Sequence, residues 1–183
     1  MTRVVLVFGL IAGVILSAMM VVNTTLIDRI GFDTAEVIGY TTIVLAFLMV
    51  FFGIRSYRDQ IYGGTISFGQ ALRIGVLITL VASACYVITW EVLSAWAVPD
   101  FAEKYAAHLL EEARKAGASE QELAARAAEL AAFQERYQNP VIKAGYTFLE
   151  VFPIGLVVSL VSAGVLRRRT RAPSLAATNV RSY

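Results

Sequence analysis

Residues 51–75 read FFGIRSYRDQIYGGTISFGQALRIG and separate two long hydrophobic segments. The stretch carries three arginines, an aspartate and the pair Gly63 and Gly64. Glycine tolerates the positive φ angles that tight turns require, and Ser67 followed by Gln70 is a capping box, which is typical of a helix start. The stretch therefore predicts a polar turn between two helices, the second of which begins just after Ser67.

The hydrophobic segments are long enough to cross a membrane. Of the 183 residues, 57% are hydrophobic and 16% are charged, whereas soluble domains are about half apolar and about a quarter charged. About 20 helical residues cross the hydrocarbon core of a bilayer, and a backbone in lipid must satisfy its own hydrogen bonds. The sequence therefore predicts an all-α integral membrane four-helix bundle, with helices at about 4–22, 36–54, 71–98 and 141–166.

The first hydrophobic segment is predicted to be an uncleaved anchor. Its run over residues 4–22 is longer than the apolar region of a signal peptide, and Leu16-Ser17-Ala18 matches a cleavage site poorly. We therefore expect one transmembrane domain over residues 1–171, followed by a flexible cytoplasmic tail at 172–183.

The positions of lysine and arginine predict the orientation, because cytoplasmic loops are enriched in these residues. The N-terminus, the polar turn and the C-terminal segment are basic, whereas the first and third loops carry more acidic than basic residues. Both termini and the polar turn are therefore predicted to be cytoplasmic. Five arginines are expected to anchor the spans at the headgroups: Arg55, Arg58, Arg167, Arg168 and Arg169.

Residues 100–138 predict an extracytoplasmic helical hairpin between the third and fourth transmembrane helices. Gly117 is expected to end its first helix, and Ser119 with Glu122 forms a second capping box that starts the next one. Apolar residues recur at helical spacing on both helices. These two stripes are expected to pack on each other and on the membrane face: Phe101, Tyr105, Leu109 and Ala113, then Leu123, Ala127, Leu130 and Phe133 or Tyr137.

Small residues recur at close to four-residue spacing along three of the predicted spans. They allow helices to approach closely in lipid, where the hydrophobic effect no longer drives helices together. The pattern predicts helix-packing surfaces, either within one chain or between the subunits of a homo-oligomer. These surfaces contain Gly9, Gly13, Ser17, Gly75, Ser83, Gly155 and Ser159.

Three glutamates fall at nearly the same depth when residues are counted from the cytoplasmic ends of their helices. Glu36, Glu91 and Glu150 each lie 16–18 residues from that end, or about 24–27 Å at 1.5 Å per residue. Intramembrane acids are costly and often functional, so these three predict a polar pocket open to the outside. Alternatively, each acid reaches the headgroups or pairs with Lys143 or Arg136. The candidate pocket residues are Glu36, Tyr40, Tyr86, Trp90, Glu91 and Glu150.

The sequence offers no signature of an enzyme or of a cofactor site. It contains no nucleophile–base pair, zinc-ligand spacing or phosphate-binding loop. The single histidine, His108, lies beside Glu111 and Glu112 in the hairpin and is interpreted as part of a solvated helix face. The single cysteine, Cys85, lies in an apolar run. A net charge of +2 is too small to indicate nucleic acid. We therefore expect no catalysis, no metal and no cofactor.

An ordered set of motifs resembles a family of bacterial membrane proteins known as domain of unknown function 4199. The motifs are EVIGY, FGIRSYRD, GGTISFGQAL, YVITW and TFLEVFPIGLVVSLVSAGVLRR, and the resemblance covers about residues 4–169. It implies a small four-helix, multi-pass protein of the bacterial inner membrane. The family has no established activity, so the resemblance assigns no role to any residue.

Two classes of function remain open. The first is a structural or accessory protein that binds a partner, either in a homo-oligomer or in a membrane complex. The second is a small transporter or channel subunit that uses the outer-leaflet carboxylates. The sequence favours the first class, because four spans are few for a transport path through one protomer.

Overall fold

A computed structural model describes residues 1–61 and 63–167 and confirms the all-α class. The predicted anchors Arg168 and Arg169 and the predicted tail at 172–183 lie outside these residues. Within the described residues the chain forms six helices, which are α1 (Thr2–Ile30), α2 (Phe32–Ile61), α3 (Phe68–Trp96), α4 (Phe101–Lys115), α5 (Glu120–Tyr137) and α6 (Pro140–Leu166).

Four of these helices, α1, α2, α3 and α6, are long and apolar enough to cross a membrane. They contain 27–30 residues each, which corresponds to about 40–45 Å at 1.5 Å per residue, against a hydrocarbon core of about 30 Å. The first two extend beyond the apolar runs that the sequence marks, since α1 continues to Ile30 and α2 begins at Phe32. A helix can continue beyond the hydrocarbon core of a membrane, because its backbone hydrogen bonds can form there as well.

Helix starts and turns follow the local signals in the sequence. Ser67 accepts a hydrogen bond from the Gln70 amide at the start of α3, and the Gln70 side chain completes the predicted capping box. Between α1 and α2 the chain turns at Gly31, whose φ angle of 80° favours glycine. Asn23 of α1 then ties the two helices together, because its Nδ2 donates to the carbonyl oxygen of Ala35 at 2.7 Å.

The helix directions follow from the order of the contacts between α1 and α3. Gly9 lies against Val81, and four residues later Gly13 lies against Cys85. A Cβ at either glycine would fall 2.7 Å from the Cβ of its neighbour, so the two backbones approach as closely as side chains permit. Because both sets of residue numbers increase together, α1 and α3 run parallel.

The contact between α3 and α6 is equally close but antiparallel. Gly75 lies against Ser159, and Thr79 lies against Gly155. The Thr79 hydroxyl donates to the Gly155 carbonyl oxygen at 3.3 Å and lies 3.1 Å from the Ser159 hydroxyl. Ser83 is fully buried one turn further along α3. The predicted small residues therefore lie where helices of this one chain meet.

These directions give the four long helices two different ends. The start of α1, the α2–α3 turn and the end of α6 lie at one end, called here the turn end. The α1–α2 turn lies at the other end. The helices α4 and α5, called here the α4–α5 pair, lie at that end as well. The core between the long helices is closed by fully buried side chains at its middle, among them Phe47, Val50, Ile54 and Ile78.

The close contact at Gly155 predicts a position-specific effect on stability. A Cβ at Gly155 would overlap Thr79 and Phe47, whereas nothing lies within 4 Å of a Cβ at Gly164 of the same helix. Overpacking costs about 1–3 kcal/mol, and Gly→Ala in a helix interior otherwise gains up to about 1 kcal/mol. We expect Gly155→Ala to lower the melting temperature in detergent and Gly164→Ala to keep or raise it. Equal melting temperatures of the two variants would contradict this packing.

Candidate functional site

The α4–α5 pair has a capped start of α5 and a hydrogen bond between its two helices. The second predicted capping box is present, with Ser119 accepting from the Glu122 amide. The Glu122 carboxylate in turn accepts from the backbone N–H of Ser119 at 2.8 Å, and this bond lowers the pKa of Glu122. Further along, Gln134 of α5 donates to the carbonyl oxygen of Ala102 of α4 at 3.0 Å. The two helices therefore form one unit.

Aromatic side chains join this pair to the long helices. Phe101 of α4 packs edge-on against Trp90 of α3 and Phe32 of α2, with ring centroids 4.9 and 5.9 Å apart. Phe133 of α5 packs against Tyr146 of α6 at 5.2 Å. The predicted stripes thus contact the long helices directly, and they do so through aromatic rings.

Trp90 anchors the α4–α5 pair with a hydrogen bond as well as with its ring. It is 8% exposed, and its indole N–H donates to the Tyr137 hydroxyl at 2.8 Å. Burial raises the pKa of the Tyr137 phenol, so the hydroxyl remains protonated around neutral pH. The end of α5 is therefore fixed to α3 at one defined point.

Beneath the α4–α5 pair lies an open cavity of about 590 Å³. All six helices contribute to its lining. Among the described residues that line it are nine aromatic side chains and two glutamates, but no lysine, arginine or histidine. The cavity is therefore an aromatic chamber that carries negative charge when its acids are ionised.

Five of the six candidate pocket residues line this cavity: Glu36, Tyr40, Tyr86, Trp90 and Glu150. The Tyr86 hydroxyl donates to Glu150 Oε1 at 3.3 Å, which orients that carboxylate. Both glutamates are exposed residues that border the cavity. The fold therefore brings five of the predicted pocket residues to one cavity.

Glu91, the sixth candidate, is not among the residues that line the cavity. Its carboxylate pairs with Lys143 at the start of α6, with Oε2 and Nζ 3.2 Å apart, and Lys143 also donates to Ser94 at 2.8 Å. This is the pairing considered for it as the alternative. Tyr86 and Trp90 are four residues apart and share one face of α3, but Glu91 is rotated by a further 100°.

Sequence reasoning missed the contribution of the α4–α5 pair to the cavity. Phe101, Tyr105, Leu130 and Phe133 line it, whereas their stripes are predicted to pack on each other and on the membrane face. The sequence contained a signal for this contact. The two short, alanine-rich helices carry several large aromatic residues, and their apolar surface is more than the pair can bury between its own helices. The signal did not identify the partner surface.

A family model described as "Protein of unknown function (DUF4199)" matches residues 7–168. The chain belongs to this family. The match spans nearly the whole of the described chain and confirms the family predicted from the motifs. No curated protein and no solved structure matches the chain. Family membership brings no activity with it, so the function has to be argued from the cavity and its side chains.

Because the Lys143 side chain is largely buried, we predict that its ion pair with Glu91 stabilises the folded protein. The Lys143 side chain is 14% exposed and that of Glu91 is 28% exposed. Lys143→Met leaves a poorly hydrated carboxylate without its cation and should cost about 1–3 kcal/mol of unfolding free energy.

The matched control is Lys115→Met, because Lys115 and its partner Glu111 are 73% and 49% exposed. Exposed pairs are worth less than about 1 kcal/mol, so this change should barely alter stability. Thermal unfolding in detergent measures both variants. A double variant Lys143→Met/Glu91→Gln should recover part of the loss, and a loss equal to that of Lys115→Met would disprove the role of the pair.

Proposed function

We propose that the protein is a multi-pass protein of the bacterial inner membrane, with α1, α2, α3 and α6 forming a four-helix transmembrane bundle. In this proposal both termini are cytoplasmic and the α4–α5 pair is an extracytoplasmic hairpin. Two observations support it. Arg55, Arg58 and Arg167 lie at or near the turn end together with the start of α1, and positive charge marks the cytoplasmic side. The opposite end carries the acidic, amphipathic pair.

The orientation is testable with single cysteines in a Cys85→Ser background. Gln60→Cys lies near the turn end and Ala116→Cys lies between α4 and α5, and both positions are exposed. In spheroplasts of the bacterial host, an impermeant thiol reagent should label Ala116→Cys and should label Gln60→Cys only after permeabilisation. The reverse pattern would invert the proposed topology.

We further propose that the cavity binds an organic cation with an apolar body. The observation that carries the proposal is the combination of aromatic walls with two glutamates and no basic residue among the described lining residues. Aromatic faces attract cations through their quadrupole, most strongly where water is scarce. A volume of about 590 Å³ lies within the range of small-molecule sites, about 300–1,000 Å³.

Each part of the cavity has a distinct role in this proposal. Glu150, oriented by Tyr86, supplies the counter-charge, and Glu36 adds a second carboxylate from α2. Trp90 and the rings of the α4–α5 pair enclose the apolar body of the ligand. An anion would be repelled by both acids. A bare divalent ion would need several converging ligands, and the cluster of potential metal ligands found among the described residues does not line this cavity.

The proposal favours the transporter or channel class over the structural or accessory class, and the reason is the cavity. The core on the cytoplasmic side of the cavity is closed, since Phe47 and Val50 are fully buried. A single protomer in this conformation would therefore bind a cation from outside without conducting it. Uptake measured in liposomes separates a binding subunit from a transporter, and the structural or accessory class predicts neither binding nor uptake.

The test is the binding of tetraphenylphosphonium to the full-length protein in nanodiscs, with triphenylphosphine oxide as a neutral analogue. A carboxylate about 5 Å from the cation contributes about 3 kcal/mol at an effective dielectric constant of 20, and residual hydration reduces this value. Glu150→Gln and Glu36→Gln should therefore each weaken binding by about tenfold, as measured by calorimetry or by quenching of tryptophan fluorescence.

The control variant is Glu129→Gln, because Glu129 is an exposed residue of α5 that does not line the cavity. It should bind tetraphenylphosphonium like the unaltered protein. Equal affinity for the cation and for its neutral analogue, or undiminished binding by the Glu36→Gln/Glu150→Gln variant, would refute the cation site.

A further inference from the structure

Outside the cavity, three potential metal ligands meet where the start of α2 contacts α4. His108 Nε2 lies 3.0 Å from Asp33 Oδ1 and 3.8 Å from Glu112 Oε2. The three ligand atoms lie within 4.8 Å of one another. His108 and Glu112 are one helical turn apart on α4, whereas Asp33 comes from 75 residues earlier in the chain. The cluster therefore exists only because the fold brings two segments together.

The spacing of the three atoms suits a transition-metal ion. Zinc binds nitrogen and carboxylate oxygen at about 2.0–2.2 Å in tetrahedral sites, so neighbouring ligand atoms in such a site lie about 3.4 Å apart. The two measured distances from His108, 3.0 and 3.8 Å, lie on either side of that value. The side chains of Asp33 and Glu112 are 76% and 50% exposed, so small rotations are enough to equalise the distances.

The imidazole ring is already oriented. It stacks on Phe32 with ring centroids 4.9 Å apart and an interplanar angle of 25°, and its side chain is 24% exposed. Phe32 immediately precedes Asp33 in the chain, so the ring that holds His108 and the carboxylate that faces it move together. Orientation of a ligand before binding lowers the entropy cost of binding.

A hydrogen bond from His108 can satisfy only one of the two carboxylates. The Nε2 atom carries at most one proton, and that proton can form a good hydrogen bond with only one of the two carboxylates. A metal ion accepts an electron pair from all three atoms at once and neutralises both acids. The same three side chains are therefore better matched by a divalent cation than by a proton.

We propose that Asp33, His108 and Glu112 bind a divalent transition-metal ion of the zinc class. An imidazole nitrogen with two carboxylates suits zinc and its neighbours, whereas magnesium and calcium prefer oxygen ligands alone. A fourth position remains for water, because both carboxylates face solvent. The ion clamps α4 to the start of α2, beside the cavity wall that Phe32 helps to form. Its binding does not depend on the organic-cation site.

The experiment is a titration of the metal-free, full-length protein in detergent with Co²⁺ and Zn²⁺, using a purification tag without histidine. We expect one Co²⁺ per chain with the visible absorption bands of a low-coordinate site, and displacement of Co²⁺ by Zn²⁺. Zn²⁺ should also raise the melting temperature, because it binds only the folded arrangement. Mg²⁺ at the same concentration should do neither.

Two variants test Asp33 and His108 as ligands. Asp33→Asn preserves size and His108→Ala removes the nitrogen, and each should weaken Co²⁺ binding at least tenfold. Glu111→Gln is the matched control, since Glu111 neighbours Glu112 but pairs with Arg114 and Lys115 instead, and it should bind like the unaltered chain. The proposal is overturned if no saturable binding is found, or if Asp33→Asn and His108→Ala bind Co²⁺ normally. Equal weakening by Glu111→Gln would also overturn it, because surface charge alone would then explain the binding.

Discussion

The close approach of α3 to its neighbours is the constraint on which the rest of the structure depends. In lipid, apolar side chains gain little by leaving the solvent, so helix association rests on van der Waals contact and on hydrogen bonds between helices. Gly9 and Gly13 let α1 reach α3, and Gly155 lets α6 reach it from another side. The Thr79 hydroxyl adds a buried hydrogen bond to the second contact. With α3 held on two sides, its aromatic residues near the α4–α5 pair have fixed positions.

The cavity is lined by larger residues of the same helices that meet through glycine elsewhere. Where α1 meets α3 through glycine, no space remains between them. Closer to the α4–α5 pair the lining changes to long and aromatic side chains, including Met20, Tyr86 and Trp90. The rings of the α4–α5 pair line the same cavity from the other side. Tight helix contacts and an open chamber therefore occur in the same set of helices.

The carboxylates near the α4–α5 pair differ in their interaction partners, although they are side chains of the same type. Glu150 borders the cavity and accepts a hydrogen bond from Tyr86, whereas Glu91 is neutralised by Lys143. Asp33 and Glu112 instead lie beside His108, where the start of α2 contacts α4. One end of the molecule thus holds three arrangements of carboxylates. They differ in whether a hydroxyl, an ammonium group or an imidazole lies opposite the acid.

The sequence by itself determined the elements of this protein: six helices, four of them long and apolar enough to cross a membrane, and the capping boxes at Ser67 and Ser119. These features depend on composition and on residues within four positions of one another. Each segment of the sequence therefore predicts them without reference to the rest of the fold. The constant rise per residue also allowed the sequence to group Glu36 with Glu150, and both residues line the cavity. Only the tertiary structure decided which way each side chain faces and what stands opposite it. It separated Glu91 from the cavity, turned the stripes of the α4–α5 pair onto the long helices, and brought Asp33 to His108. Contacts between segments 75 residues apart depend on how whole helices pack, and no local sequence pattern predicts this packing.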